Sequence, residues 1–319
     1  MVGRHSLTGP RDPDPAFQES LLSCGVVTAL TTACRALSQS DLPGAGIELK
    51  GFLTAIVDHM SLFPSVWLPQ SLRAGLLDIL FTSRHRKIVN RTLINLVKHV
   101  IFPATVSHSV LAQLQTSLSQ VRDRDAKAIF RHTGLLTLWM NLIEVVESRF
   151  RILAEYHTGM LTAARASDDL ECAKIRPKSE LKRCSGCLAA YYCSGTCQAN
   201  DWMRGGHRKT CDGLSLRREE FSHPSSRDRS FLRLVHHEWM TRREEIAQQH
   251  LLSEQIHPSE VLCTVLDFTA GIEVGPLDSS VRSRFEFDID RVMRSGGRME
   301  LQLLKVMDSR QSRMWPFLL

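Results

Sequence analysis

Six of the chain's nine cysteines fall between Cys172 and Cys211, with His207 among them. Cys184-Ser185-Gly186-Cys187 leaves a two-residue gap, the spacing of a zinc knuckle, in which Gly186 permits a tight turn that aims both thiolates at one ion. Cys193 and Cys197 are separated by three residues. On a helical turn that gap puts both sulfurs on one side, and His207 with Cys211 repeats the same i, i+4 logic. A disulfide framework would come with a secretion signal and a more even spread of cysteines. Met1-Val2-Gly3-Arg4-His5 leads instead into a polar, Pro-containing tract without an apolar run, so no leader is expected and the sequon Asn90-Arg91-Thr92 reads as chance. The pattern therefore points to metal in a reducing compartment, cytoplasm or nucleus.

A segment of about 40 residues is too small to fold on apolar burial alone; each structural zinc contributes on the order of 10–16 kcal/mol in model fingers. The rest of the chain, 319 residues in all, must supply a scaffold. Residues 1–15 read as a loose polar tail. From 16 to about 160 apolar residues recur at helical spacing, with Leu72, Leu76, Leu77 and Leu80 on one face, Ile88, Leu96 and Val100 on another, and Leu111, Leu114 and Leu118 on a third. Breaks are expected at Asp41–Gly44, Phe63-Pro64 and Phe102-Pro103. The spacing predicts helices stacked in armadillo- or HEAT-like pairs, or a plain helical bundle. Cys24 and Cys34 read as small buried hydrophobes there.

Residues 228–319 read as an α+β region. One long helix is expected over 228–255, with Phe231, Leu232, Val235, Trp239 and Ile246 as its stripe. A small antiparallel sheet follows, from strand formers at Val261–Phe268, alternation at Met299–Leu303 and a last edge strand around Pro316. The fold class expected is mainly α. No run of 18 apolar residues suggests a membrane span.

The run Cys193-Ser194-Gly195-Thr196-Cys197-Gln198-Ala199-Asn200-Asp201-Trp202, followed by His207-Arg208-Lys209-Thr210-Cys211, resembles the MYND zinc finger. The preceding Cys184–Cys187 knuckle and Tyr191-Tyr192 are similar to the version found in fungal MYND-domain proteins. The resemblance implies a finger over 172–211 with two zincs in a cross-brace. Cys184, Cys187, His207 and Cys211 would form one complete site. Cys172, Cys193 and Cys197 would form a second that lacks a ligand, because Cys172-Ala173-Lys174-Ile175 holds no second cysteine. That site would stay empty or be completed by water or by Asp168, Asp169 or Glu171.

Such fingers dock protein partners, and the resemblance implies a groove for short Pro-containing segments at Gln198 and Trp202, beside Tyr191 or Tyr192. A finger-only role for Trp202 and one tyrosine, as its mini-core, is the competing reading. The enzymatic alternative is a SET-type lysine methyltransferase with an inserted finger. It is disfavoured because the chain has no Asn-His pair and only three tyrosines, Tyr156, Tyr191 and Tyr192. No catalytic residue is expected. A DNA-associated regulator is the third class. The formal charge is +6, but basic residues look scattered and interleaved with acids, as at Arg217–Glu220, so direct nucleic-acid binding is not expected. His223, His236, His237 and His257 read as surface histidines.

Overall fold

The computed structural model describes residues 20, 23–60, 64–83, 85–158, 164–172, 174–220, 226–239, 243–258, 260–267, 271–297, 299–308 and 311–318. The expected tail 1–15 lies outside them. The fold is mainly α. The helices α1 (Val26–Gln39), α2 (Ala45–Met60), α3 (Pro64–Arg73), α4 (Leu76–Thr82), α5 (Arg86–Asn95), α6 (His108–Val121), α7 (Ala126–Phe130) and α8 (Leu135–His157) come first. In α8 the buried residues Trp139, Leu142, Val146, Arg149 and Leu153 recur at three- and four-residue steps, so one face is committed to the core.

Several local expectations change. The Leu72–Leu80 face is real, but Gly75 at φ 97° breaks it into α3 and α4. Ile88 is exposed while Leu96 and Val100 are buried. The break expected at Phe102-Pro103 is absent: a π-helical stretch, Leu96–Ile101, runs into a helical turn at Phe102–Ala104 and absorbs the proline. Cys34 sits in the core, where burial pushes its thiol up to about 12, whereas Cys24 is exposed.

The helical core does not end near residue 160. Phe231, Leu232, Leu234 and Val235 of α11 (Ser226–Trp239) join it, as do Leu266, Leu304 and Val306 of the C-terminal sheet. The single helix expected over 228–255 is described as α11 and α12 (Arg243–Ile256), with 240–242 between them outside the described residues. His236, expected at the surface, is buried on α11 and bonded to Gln302 at 2.5 Å.

The sheet also differs from the antiparallel one expected. Strands β5 (Leu262–Asp267), β6 (Gly271–Pro276), β7 (Leu301–Asp308) and β8 (Gln311–Leu318) lie in the order β6-β5-β7-β8. β5 and β7 pair in parallel, Val265 opposite Leu303, because antiparallel β6 returns the chain to the end where β5 starts and the segment holding α13 (Glu286–Arg294) then carries it past β5 to β5's other edge. Leu301 and Leu303 pack with Phe285 and Ile289 on one face, while Leu304 and Val306 meet the helical core on the other. With helices on both faces, Gln302 is buried as fully as its neighbours. This arrangement leaves α13 on the side of the sheet that meets the finger. Among the described residues no helix is long and apolar enough to cross a membrane.

Candidate metal centre

Between α8 and α11 the chain forms two two-stranded ribbons. β1 (Ala164–Ala166) pairs with β2 (Ile175–Pro177), and β3 (Lys182–Arg183) pairs with β4 (Tyr191–Tyr192). The knuckle hangs from β3. Cys184 N–H donates to Ala190 O at 3.0 Å, and Leu188 N–H closes the turn on Cys184 O at 2.9 Å. The left-handed residue of that turn is Leu188, at φ 53°, not Gly186. Gly186 is favoured for a different reason: a Cβ there would crowd the site, standing 3.1 Å from Cys211 Sγ and 3.8 Å from Cys184 Sγ. The remaining ligands come from the first turn of α10 (His207–Glu220), where His207 and Cys211 share a face.

Cys184, Cys187, His207 and Cys211 are all buried, and their ligand atoms lie within 4.8 Å of one another. Cys184 Sγ is 3.9 Å from Cys211 Sγ, and Cys187 Sγ is 3.8 Å from His207 Nε2. Four ligands at the usual zinc distances, about 2.0–2.3 Å, stand roughly 3.5–3.8 Å apart along the edges of a tetrahedron. The donor set therefore fits one tetrahedral zinc. Burial alone opposes ionisation of Cys184, yet the backbone N–H groups of Cys187 and Gly186 and the His207 ring bring its thiol down to about 6. Apart from its ligands, the finger's buried cluster holds little more than Ala190 and Tyr192. So small a core makes the fold of this segment depend on metal.

The second group forms across the other ribbon. Ser194 caps α9 (Gly195–Asn200) by accepting from Cys197 N–H at 3.1 Å, which sets Cys197 one turn beyond Cys193. Cys193 Sγ lies 3.5 Å from Cys197 Sγ and 3.4 Å from Cys172 Sγ. These three thiols form a half-buried triad, with no described His, Asp or Glu ligand atom joining it. Asp168 does not complete it. Its carboxylate is bonded to Arg291 at 2.5 Å, Arg165 at 3.0 Å and Tyr191 N–H at 2.5 Å. Asp169 Oδ1 accepts from Glu171 N–H instead.

The family model described as the MYND finger matches residues 171–211. Residues 171–211 are a MYND finger. Its fold class binds zinc and serves protein–protein interaction, and the Cys3His site is the buried centre that holds the metal. A protein named "Ubiquitin carboxyl-terminal hydrolase 19" from Arabidopsis thaliana is 40% identical over 62 residues, 19% of this chain and 8% of that protein. The chain thus shares less than a tenth of that relative's length. No solved structure matches the chain.

The residues expected at the docking groove separate. Trp202 is 40% exposed and its ring meets His207 edge-on at 5.7 Å, so it is both a wall of the zinc site and a surface. Gln198 precedes it by four residues on the same helical stretch and is half-buried. Tyr191 is half-buried under Arg165, whose guanidinium lies 4.2 Å from the ring centroid. Tyr192 is not available to a partner: it is fully buried and donates its hydroxyl to Asp201 at 2.7 Å.

Sequence reasoning missed the finger's supports. Asp201 packs under Gly205, where a Cβ would fall onto its Oδ1, and burial raises its carboxyl above the ordinary range against the lowering pull of the Tyr192 hydroxyl, Arg291 and His207. Arg291 of α13 pairs with Asp168 and also donates to Asp168 O at 2.8 Å, while Arg294 donates to Gly205 O at 2.7 Å. These partners are 123 and 89 residues apart in sequence, so no local pattern reveals them. The finger is also more basic than the chain at large. It holds eight lysines and arginines against three acids, a formal excess of five out of the chain's +6. Lys174, Arg176, Lys182, Arg183, Arg204, Arg208 and Lys209 are exposed.

Proposed function

We propose that the chain is a non-enzymatic intracellular adaptor whose finger docks a short Pro-containing segment of another protein across Trp202, Gln198 and Tyr191. The observation that carries the reading is Trp202: a large indole left 40% exposed on a metal-stiffened element. An indole face packs a proline ring, and the Gln198 amide both donates to and accepts from an extended backbone. Pro-containing segments also lose little entropy on binding. The surrounding excess of lysine and arginine favours segments with acidic flanks.

The methyltransferase alternative gains nothing from the site. Tyr192 spends its hydroxyl on Asp201, and Tyr156 packs against His108 and Phe231. The test is titration of labelled Pro-containing peptides, with and without acidic flanks, into the full chain. Dissociation constants should fall roughly in the micromolar to hundreds-of-micromolar range of weak contacts. Trp202→Ala should weaken binding by about tenfold or more, and Gln198→Ala by less, with zinc content unchanged in the same samples. Binding that ignores both substitutions places recognition on another surface. Tight binding of duplex DNA, abolished by charge reversal at Lys182 and Arg183, would move the reading to nucleic acid.

A further inference from the structure

The two metal sites of the finger differ in one respect that matters chemically. Among the described residues four donors converge on the first and three on the second. In the first site Cys184-Ser185-Gly186-Cys187 supplies a pair; at the matching place the second has Cys172-Ala173-Lys174-Ile175, whose last residue is 68% exposed. The three sulfurs nevertheless hold the spacing of three corners of a tetrahedron, at 3.4 and 3.5 Å. Of the two buried carboxylates just before Cys172, Asp168 is fixed by two arginines and a backbone amide, and Asp169 by the turn it caps. All four first-site ligands are buried, whereas all three of the triad are half-buried and so open to solvent.

Zinc held by thiolates takes four ligands in structural sites. Three thiolates on a dication leave a net charge of minus one and little Lewis acidity, so a water in the fourth place is poorly activated for hydrolysis. It is exchangeable all the same. The exposed lysines and arginines around the triad, Lys174 among them, tolerate a further anionic donor. We propose that Cys172, Cys193 and Cys197 hold one zinc whose fourth ligand comes from outside the finger. That ligand is a histidine imidazole or cysteine thiolate of a docked protein. The proposal rests on the triad binding metal, not on the Pro-peptide reading, and the two fail separately.

The experiment is cobalt substitution of the full chain in a non-coordinating reductant. Two cobalt ions should bind, because cobalt(II) takes the same tetrahedral thiolate sites and reports its ligands through visible ligand-field bands. Imidazole, as the histidine probe, and 2-mercaptoethanol, as the thiolate probe, should each shift the bands of one of the two ions in a saturable way. Cys193→Ser should remove that responsive ion and spare the other. Ile175→Cys restores the two-residue gap and should keep both ions while abolishing the response. Cobalt binding at one equivalent, with zinc also at one, would overturn the proposal because the triad then holds no metal. Two ions whose spectrum ignores both probes would overturn it too, because the chain itself then closes the site. A response retained in Cys193→Ser would assign the exchangeable position to the other centre and equally refute it.

Discussion

Arg291→Ala should loosen the finger from the C-terminal sheet without touching a metal ligand. Arg291 is 12% exposed at its side chain and Asp168 is 7% exposed, so their contact is screened little. The substitution removes a charge-assisted pair and a second bond to Asp168 O. Breaking a buried pair from one side costs about 3–5 kcal/mol. Here Arg165 and the Tyr191 amide remain on the carboxylate, which lowers the expectation to roughly 2–3 kcal/mol. Arg294→Ala is the control. Arg294 pairs with Asp290, which is 60% exposed, and holds Gly205 O by one bond, so its loss should cost about 1 kcal/mol or less.

The assay is hydrogen exchange at the Tyr191 and Asp168 amides, which bond to Asp168 Oδ2 and Tyr191 O. A loss of about 2 kcal/mol in local opening makes exchange roughly 30-fold faster. The pH dependence follows from the sign. Burial raises the Asp168 carboxyl, but Arg165, Arg291 and the Tyr191 amide outweigh it and hold it below the ordinary carboxylate range. The stabilisation is therefore complete above the unfolded value, about 3.9, and lost as pH falls through the depressed folded value. The variant and the parent should differ fully at neutral pH and converge in acid. Equal protection at Tyr191 in Arg291→Ala, Arg294→Ala and the parent would refute the reasoning.

Two further outcomes bear on the closed site. Cys187→Ser should abolish one zinc per chain and unfold the finger, while circular dichroism retains the signal of the helical core; full zinc content in that variant would show the ligand set to be wrong. Gly186→Ala should lower zinc affinity, because its Cβ would stand 3.1 Å from Cys211 Sγ. A competing chelator should extract zinc from it earlier than from the parent, and unchanged extraction would mean that the knuckle yields at no cost.

Six of the seven groups that converge were legible as three pairs, each set by a local geometric period, two residues across a knuckle or four along a helix, whereas Cys172 has no such pair and entered through the clustering and the resemblance. The same holds for the core-facing residues of α8 and α6, where a 3.6-residue repeat decides burial. What escaped was decided by partners distant in sequence. The parallel pairing of β5 with β7 depends on the return along β6 and the crossing through the α13 segment, and a strand's own alternation is the same in either pairing. Gly186 looked like a turn residue because glycine usually is one; its advantage comes from Cys211, 25 positions on and across the site. That one of two adjacent strand tyrosines faces inward follows from the period of two. Which one does is fixed by Asp201, whose carboxylate is the acceptor waiting for Tyr192. The basic surplus of the finger was hidden by reading charge along the whole chain, where acids dilute it.

The attachment of the finger bears on docking. A finger on a free tether would lose orientational freedom whenever a partner engaged it, and that loss weakens binding. Here the zinc ligands sit on the knuckle that follows β3 and on α10, Asp168 bonds to β4, and α13 grips Asp168 and Gly205 from the sheet side. Trp202 lies in the stretch between Asp201, bonded to Tyr192, and Gly205, bonded to Arg294, so its indole is held from both ends. Such a surface is set in place before any partner arrives. The same supports place the half-buried thiol triad on that frame, its Cys197 immediately before Gln198 on α9. A segment that reached both the indole and the triad would gain a second contact at the effective concentration set by the first. This is how a weak groove could still select its partner.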